Sequence, residues 1–324
     1  MSAQTNVLIS SAGRRVALLE LFAAATAPDG KVFAADMTSR ASAFQRADRG
    51  FKVPRCTSPD FVPVLRELCR EHEIALVIPT IDTELPVLAE HRAAFAEAGT
   101  MVSVSSPETI AIASDKHQTH AWLVANGFPT VKQTTVAEAL QGAWPLPTLV
   151  KPARGSSSIG VQVVDTPEAL ALATQGADYV VQSIATGVEY TVDTFVDAQG
   201  CCHTQIPRLR LAVRAGEVSK GRTERVPQVQ ALAREICERL PGAFGCLNVQ
   251  IFWDEATQTA AVIEINPRFG GGFPLSHAAG ARFVEHLVAS AAGRPTPPLT
   301  NDWRDGLLML RYDDAVFVDA TTVD

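Results

Sequence analysis

Apolar and polar positions alternate in blocks along the first hundred residues, and each block has the length of one strand or one helix. Short apolar runs with β-branched residues predict strands, and longer amphipathic runs predict helices. The predicted strands are 6–10, 31–36, 74–80 and 101–105, and the predicted helices are 15–27, 59–72 and 83–99. This order predicts a parallel sheet covered by helices, with ligands beyond the carboxyl ends of the strands.

The pattern changes after residue 105, where two helices over 106–127 are followed by strands in hairpin order. These strands are predicted at 146–152, 159–165, 178–184, 189–197, 201–213, 246–253 and 259–266, with helices from Pro167 and over 226–240. Hairpins predict antiparallel sheets, so this part reads as α+β. We expect domains at 1–106 and 107–295, the second divided into lobes at about 115–185 and 186–295. A proline-rich tail, 296–324, is expected to wrap the surface.

The composition argues against several classes of protein. Of 324 residues, 47% are hydrophobic and 19% are charged, which is an ordinary globular balance. The net charge of -7 argues against nucleic-acid binding, which requires a basic surface. No apolar run is long enough to span a membrane and no signal peptide is recognisable, so we expect a cytoplasmic protein. The six cysteines include no C-x-x-C pair, and we expect reduced thiols rather than zinc ligands.

The segment after the first strand allows two interpretations. Gly13, Arg14 and Arg15 precede a helix, and Asp36 ends the next strand. A nicotinamide dinucleotide site would need G-x-G-x-x-G, which is absent. Either Gly13 shapes a tight turn beside solvated arginines, or one arginine lies near an anionic ligand at the helix N-terminus.

A glycine- and serine-rich loop lies within "LVKPARGSSSIGV", residues 149–161. Gly155 and Gly160 allow backbone N–H groups to converge on an anion, and the serine hydroxyls add donors. Lys151 supplies a positive charge just before the loop. The alternative is a flexible hairpin connection without a ligand, because no Walker sequence is present.

The run "AVIEINPRFGGG", residues 261–272, places polar residues inside a strand. Alternate strand residues share a face, so Glu264 and Asn266 point the same way. A hairpin around 254–258 puts Gln250 opposite Glu264. Three oxygen donors suit Mg²⁺, and Arg268 is placed to reach the same phosphates. A buried ion pair of Glu264 with an arginine is the alternative.

Four motifs in order resemble those of the ATP-grasp superfamily, and among its members the proteins similar to the synthetase large subunit of carbamoyl phosphate synthase. They are "SDK" (114–116), "LVKPARGSSSIGV" (149–161), "VQSIATGVEYTVD" (181–193) and "NVQIF…VIEINPRFGGG" (248–272). The resemblance implies a Rossmann-like α/β pre-ATP-grasp domain followed by a two-lobed α+β ATP-grasp fold. It also implies ATP with Mg²⁺ or Mn²⁺, small-molecule carboxylate and amine substrates, and a homodimer as the common assembly.

The resemblance assigns roles residue by residue. Lys151 and Arg268 resemble the catalytic cations, and Gln250, Glu264 and Asn266 resemble the metal ligands. The nucleotide-binding residues implied are Lys116, Lys151, Ser156, Ser157, Ser158, Gln182, Ile184 and Glu189. Position 183 is serine where relatives commonly carry glutamate.

A basic stretch in the second half carries the candidate substrate-binding residues. Arg208 and Arg210 share a strand face, which suits a carboxylate or phosphate of the acyl substrate, although a solvated strand face is the alternative. Residues 216–223 resemble a mobile loop in which Lys220 acts. We expect a ligase that activates a carboxylate as an acyl phosphate and joins it to an amine. A carboxyphosphate- or carbamoyl phosphate-type synthetase and a non-catalytic nucleotide-binding subunit are the alternatives.

Overall fold

A computed structural model describes residues 4–155, 159–214 and 216–323. The first domain is built on a five-stranded parallel sheet with strand order β3-β2-β1-β4-β5. Its strands are β1 (Asn6–Ser10), β2 (Val32–Asp36), β3 (Arg49–Lys52), β4 (Ile74–Pro79) and β5 (Met101–Val102). Its helices are α1 (Val16–Thr26), α2 (Ser42–Arg46), α3 (Phe61–Glu71), α4 (Leu85–Glu90) and α5 (Arg92–Glu97). The predicted parallel α/β domain is therefore confirmed.

Two local expectations for this domain were wrong. The pattern did not predict α2 and the edge strand β3, whose polar sequence RGFK buries only Phe51. The helix expected over 83–99 is instead a 3-10 turn (Asp82–Glu84) followed by α4 and α5, which are separated at His91.

A small antiparallel sheet follows, with strand order β6-β9-β7-β8. It consists of β6 (Gln133–Thr135), β7 (Thr148–Pro152), β8 (Gln162–Val164) and β9 (Tyr179–Gln182). Helices α6 (Pro107–Ser114) and α7 (Lys116–Ala125) lead into it, and α8 (Val136–Glu138), a π-helical turn (Ala139–Ala143) and α9 (Pro167–Ala173) accompany it. The glycine- and serine-rich loop joins the antiparallel neighbours β7 and β8, as predicted from the sequence.

The second antiparallel sheet has six strands in the order β14-β13-β10-β11-β12-β15. They are β10 (Val188–Val196), β11 (Cys202–Arg214), β12 (Glu217–Thr223), β13 (Gly245–Asp254), β14 (Thr259–Asn266) and β15 (Leu308–Leu310). The remaining helices are α10 (Pro227–Arg239), α11 (Phe273–Ala279), α12 (Phe283–Ala291) and a 3-10 turn (Ala320–Thr322).

The segment 216–223 is mostly strand rather than the mobile loop expected. Strand β12 pairs with β11 on one side and β15 on the other. Val218 and Thr223 are buried along it, which holds a largely polar sequence in the sheet. The tail is likewise integrated: Trp303 is buried, and Arg225 stacks over its ring at 4.2 Å. The tail therefore contributes an edge strand and a core residue.

An aromatic cluster joins the first domain to the turn after β14. Phe22 of α1 contacts Phe269 edge to face, with ring centroids 5.8 Å apart, and Phe269 contacts Phe273 at 4.6 Å. All three are buried, and burying a phenyl ring stabilises the fold by roughly 1.5–3 kcal/mol. This packing holds helix α1 of the first domain against the turn that contains Phe269. None of the helices in the described ranges is long and apolar enough to cross a bilayer.

Candidate active site

The β13–β14 hairpin presents a row of amide and carboxylate oxygens. Gln250 pairs with Glu264, as predicted, and Asn248 pairs with Asn266. The four side chains line the same cavity. Asn248 was missed by sequence reasoning, although its position two residues before Gln250 on a strand could have revealed it. Its amide donates to the carbonyl of Arg268 at 3.0 Å, so it also fixes the following turn.

A cavity of about 430 Å³ lies between the small sheet and the six-stranded sheet, and we call it the large cavity. Its apolar wall comes from both sheets: Leu149, Ile159, Val161, Ile184, Val213, Phe252 and Ile263. Its polar wall contains Lys116, Lys151, Glu189, Arg210, Gln250 and Glu264. An apolar wall together with cations and oxygen donors has the chemistry needed for a nucleobase and its phosphates.

Both predicted lysines face the large cavity from different elements. Lys116 begins α7, and its ammonium donates to the carbonyl of Gly155 at 3.0 Å. Lys151 lies on β7 and is 5% exposed. The pKa of Lys151 is lowered to about 8, mainly by burial; the Glu264 carboxylate opposes this effect, the Lys116 ammonium adds to it, and the Glu189 carboxylate opposes it. An anionic ligand would therefore restore a full charge on Lys151.

The other predicted nucleotide residues divide into two groups, and Ser183 lies with the first. Gln182, Ile184 and Glu189 line the large cavity, and Gln182 donates to the side chain of Gln133 at 2.7 Å. Ser183 lines the large cavity too, and its hydroxyl accepts a hydrogen bond from the backbone N–H of Lys132 at 3.1 Å. Ser156, Ser157 and Ser158 lie outside the described residues.

A second cavity, of about 110 Å³, adjoins the first, and we call it the arginine cavity. Four arginines line it, together with the glycine turn and two carboxylates: Arg15, Arg208, Arg210, Arg268, Gly270, Gly271, Gly272, Glu217 and Glu264. Gln250, Glu264 and Arg210 line both cavities. The oxygen donors therefore stand where a molecule in the large cavity would meet one in the arginine cavity.

Arg208 and Arg210 differ in their surroundings. Arg208 is 2% exposed and donates to both oxygens of Asp193, at 2.7 and 3.0 Å, while Ser276 donates to the same carboxylate at 2.6 Å. This buried pair holds β10 and β11 to α11, so Arg208 is neither the solvated residue nor the free substrate cation that the pattern allowed. Arg210 forms an ion pair with Glu189 at the boundary between the cavities.

Arg268 is held by a residue of the first domain that sequence reasoning did not place in the site. Asp82 accepts two hydrogen bonds from Arg268, at 2.7 and 2.6 Å. Asp82 belongs to the turn after β4, and Glu84 fixes this turn by accepting from Thr80 N–H and Ile81 N–H at 2.7 and 3.2 Å. The sequence did offer one signal for Asp82: it lies just beyond the carboxyl end of a predicted parallel strand, where ligand sites form.

The remaining candidates are the residues after the first strand and Lys220, and only one of them lines a cavity. Asp36 accepts from Gly13 N–H at 2.9 Å, and Gly13 has φ +50°, so these two residues shape a turn. Arg15 lines the arginine cavity, whereas Arg14 is exposed. Lys220 is exposed on β12 and is not among the residues that line either cavity.

A separate group of possible metal ligands lies at the turn between β10 and β11. One ligand atom each from Asp197, Cys201 and His203 falls within 4.8 Å of the others. The Asp197 carboxylate already accepts from the backbone N–H groups of Gln199 and Cys201, each at 2.9 Å, and from His203. All six cysteines are free thiols.

Comparison with known families agrees with this geometry. A model described as an ATP-grasp domain matches residues 113–272, and one described as a PylC-like N-terminal domain matches residues 7–103. The chain contains an ATP-grasp domain. Of the described residues that line the two cavities, only Arg15 lies outside the ATP-grasp match. The predicted resemblance to the ATP-grasp superfamily is confirmed.

Solved structures with the same fold share little sequence with this ATP-grasp protein. The biotin carboxylase domain of Hydrogenobacter thermophilus 2-oxoglutarate carboxylase, a dimer with MgADP, ADP and bicarbonate, is 18% identical with a TM-score of 0.73 over 94% of this chain and 73% of that one. N5-carboxyaminoimidazole synthetase from Staphylococcus aureus with ADP is 13% identical, with a TM-score of 0.73 over 97% and 95%. L-amino acid ligase from Bacillus licheniformis is 20% identical, with a TM-score of 0.67 over 89% and 74%. A search of curated proteins gave no match.

Proposed function

We propose that this protein is an ATP-dependent ligase that activates a carboxylate as an acyl phosphate and joins it to an amine. The observation that carries the proposal is the cluster of Gln250 and Glu264, which line both cavities, with Asn266, which lines the arginine cavity beside them. Such a cluster places hard oxygen ligands where the terminal phosphate of a nucleotide in one cavity would meet an acid in the other.

The large cavity is the proposed ATP site. Its apolar walls suit an adenine ring, Glu189 suits the ribose hydroxyls, and Lys116 and Lys151 suit the phosphates. The solved relatives with ADP or MgADP support the same ligand. The serine hydroxyls at 156–158 remain candidates for covering the phosphates on the strength of the family resemblance alone.

The donor set of the cluster fits Mg²⁺. The cluster offers three oxygen ligands, one from a carboxylate and two from amide side chains. Mg²⁺ would complete its coordination shell with waters and phosphate oxygens. When bound, Mg²⁺ would neutralise phosphate charge and help to align the terminal phosphate. Glu264 would provide the only anionic ligand of the three, so it is the residue whose loss should matter most.

The remaining chemistry can be assigned to the chain's own residues. Arg268 holds the acid so that a carboxylate oxygen attacks the γ-phosphorus; the P–O bond to ADP breaks and an acyl phosphate forms. Lys116 and Lys151 hold the phosphates during the transfer. The amine nitrogen then attacks the acyl carbon, and phosphate leaves as the C–N bond forms. Positioning and charge stabilisation provide the catalysis, without a protein nucleophile.

Trapping with hydroxylamine tests the proposal, because hydroxylamine converts acyl phosphates into hydroxamates. The wild-type protein is incubated with ATP, Mg²⁺ and a panel of carboxylic acids, and ADP and hydroxamate are measured together. We expect at least one acid to give both products in equal amounts. Glu264→Gln and Arg268→Ala should reduce them by roughly a hundredfold or more, whereas Glu97→Gln, on the exposed face of α5, should not.

The same assay separates the alternatives. A carboxyphosphate-forming enzyme would release ADP with bicarbonate and give no hydroxamate with any other acid. A non-catalytic subunit would bind ATP without forming ADP in any reaction. Either result would overturn the proposed function.

A further inference from the structure

Arg15 is the contribution of the first domain to the arginine cavity. Its backbone N–H donates to the carbonyl of Ala12 at 2.9 Å, and its carbonyl accepts from Leu19 N–H at 3.0 Å. Its side chain reaches the glycine turn: a Cβ built on Gly271 would lie 2.9 Å from Nη1 of Arg15. The absence of a side chain at Gly271 therefore leaves room for the guanidinium above the turn.

Arg15 differs from the other three arginines of the cavity in its partners. Arg268 donates to Asp82, Arg208 donates to Asp193, and Arg210 donates to Glu189. No hydrogen bond or ion pair of the Arg15 side chain occurs within the parts of the chain that the structure describes, although the Glu217 carboxylate attracts it. The donors of this guanidinium are thus available to a ligand in the cavity.

Around Arg15, guanidinium groups outnumber the carboxylates that could pair with them. Glu217 accepts a hydrogen bond from Arg311 of the tail at 3.0 Å, so two guanidiniums share one carboxylate. Burial lowers the pKa of Arg15; the Glu217 carboxylate raises it, Arg268 and Arg311 lower it, and Asp82, which is itself paired with Arg268, raises it. One positive charge at this end of the cavity is left without a counter-ion, and a partly buried charge is favourable only when it is paired.

We infer that Arg15 binds a second anionic group of the acid substrate, so that the protein prefers acids with two anionic groups over monocarboxylic acids of the same length. This inference rests on the proposed function, in which Arg268 holds the carboxylate that reacts. Among the described residues that line the arginine cavity, Arg15 is the cation without an ion-pair partner, and a planar guanidinium with free donors matches a carboxylate or phosphonate. A methyl group in place of that second anion would leave those donors unpaired.

Calorimetry on protein saturated with Mg²⁺ and a non-hydrolysable ATP analogue tests the inference. The probes are succinate, glutarate and adipate, each paired with the monocarboxylate of equal chain length, and the matching phosphonocarboxylates separate the two kinds of second anion. We expect at least one two-anion acid to bind about tenfold more tightly than its monocarboxylate partner. Arg15→Gln should remove this advantage, Arg15→Lys should keep part of it, and the exposed neighbour variant Arg14→Gln should keep all of it.

The outcomes separate the two claims. If the wild-type protein does not bind the ATP analogue, the proposed function fails and the inference fails with it. If the analogue binds but two-anion acids have no advantage, or if the advantage survives in Arg15→Gln, only the inference is overturned. The affinity for the analogue should be unchanged in Arg15→Gln, because Arg15 does not line the large cavity. Should Arg15→Gln fail to fold, an Arg15→Lys protein with undiminished preference would overturn the inference.

Discussion

Asp82 and Arg268 are 186 residues apart in the chain and form a two-hydrogen-bond ion pair between the first domain and the ATP-grasp domain. Arg268 also donates weakly to Asn266 at 3.3 Å, so its direction is set by the first domain and by the oxygen cluster together. The Arg268 side chain is 10% exposed, and a buried guanidinium requires such a partner. The first domain therefore orients a residue of the proposed active site.

Replacing Asp82 by asparagine should slow catalysis more than it weakens nucleotide binding. The amide side chain would keep the volume but lose the charge and one acceptor, so Arg268 would be less well oriented for the acid. We expect kcat for acid-dependent ADP formation to fall by roughly 10- to 100-fold. The Kd for ADP with Mg²⁺ should change by less than about threefold. Asp60→Asn, at an exposed position before α3, is the matched control. If Asp82→Asn lowered kcat and the affinity for ADP by the same factor, that result would contradict a positioning role.

Nucleotide affinity should fall as the pH rises above about 8. In the free protein, burial lowers the pKa of Lys151 to about 8, and only its protonated form pairs with phosphate. The binding contribution is therefore complete below that pH and is lost as the pH passes through it, by up to about tenfold per pH unit. Titration of Kd for ADP with Mg²⁺ between about pH 6.5 and about pH 9.5 measures this.

Lys151→Met should bind ADP weakly and lose this pH dependence. Lys31→Met removes an exposed lysine of the first domain and should behave as wild type. A pH profile of Lys151→Met that still falls near pH 8 would show that another group is responsible.

The glycine turn gives a prediction about stability. A Cβ on Gly272 would lie 2.2 Å from Nη1 of the buried Arg208, whereas a Cβ on Gly271 would meet the half-buried Arg15 at 2.9 Å. Gly272→Ala should therefore disturb the Arg208–Asp193 pair and reduce the free energy of unfolding by about 2–4 kcal/mol. Gly271→Ala should cost less, because Arg15 can move. Urea unfolding of the two variants compares them, and a larger loss in Gly271→Ala would contradict the packing described.

Glu84 should contribute to stability through hydrogen bonding rather than through charge. It is 0% exposed and accepts from Ser10 and Ser11 hydroxyls as well as from two backbone N–H groups. Burial raises the pKa of its carboxyl group, and these hydrogen bonds oppose that effect. Glu84→Ala would leave several buried donors without acceptors and should cost about 3 kcal/mol in urea unfolding. Glu90→Ala, an exposed position in α4, should cost much less.

Local patterns in the sequence predicted the elements that carry the site. Period-two alternation and a short turn were enough to place Gln250 opposite Glu264, because a hairpin register depends on neighbours in the chain. The same holds for the parallel strands of the first domain, whose apolar runs are buried on both faces.

Contacts between distant segments could not be predicted. Nothing near Arg268 in the chain indicates Asp82, and the buried partner of Arg208 lies on a neighbouring strand. Strand β12 was taken for a mobile loop on the strength of the resemblance. It pairs with its chain neighbour β11 and also with the edge strand β15, about 90 residues later, and that second pairing has no local signal. Charged residues are the least predictable part of the site, because their roles depend on which opposite charge the fold brings to them.

Calorimetry of ADP binding with and without Mg²⁺ tests most directly whether the oxygen cluster holds a metal–nucleotide complex. The wild-type protein and Glu97→Gln should bind ADP about tenfold or more tightly with Mg²⁺ than with a chelator, since the cluster supplies the ligands. Glu264→Gln should lose that difference while keeping the weaker, metal-independent binding. An equal effect of Mg²⁺ in Glu264→Gln and wild type, or no ADP binding by the wild-type protein, would contradict the account.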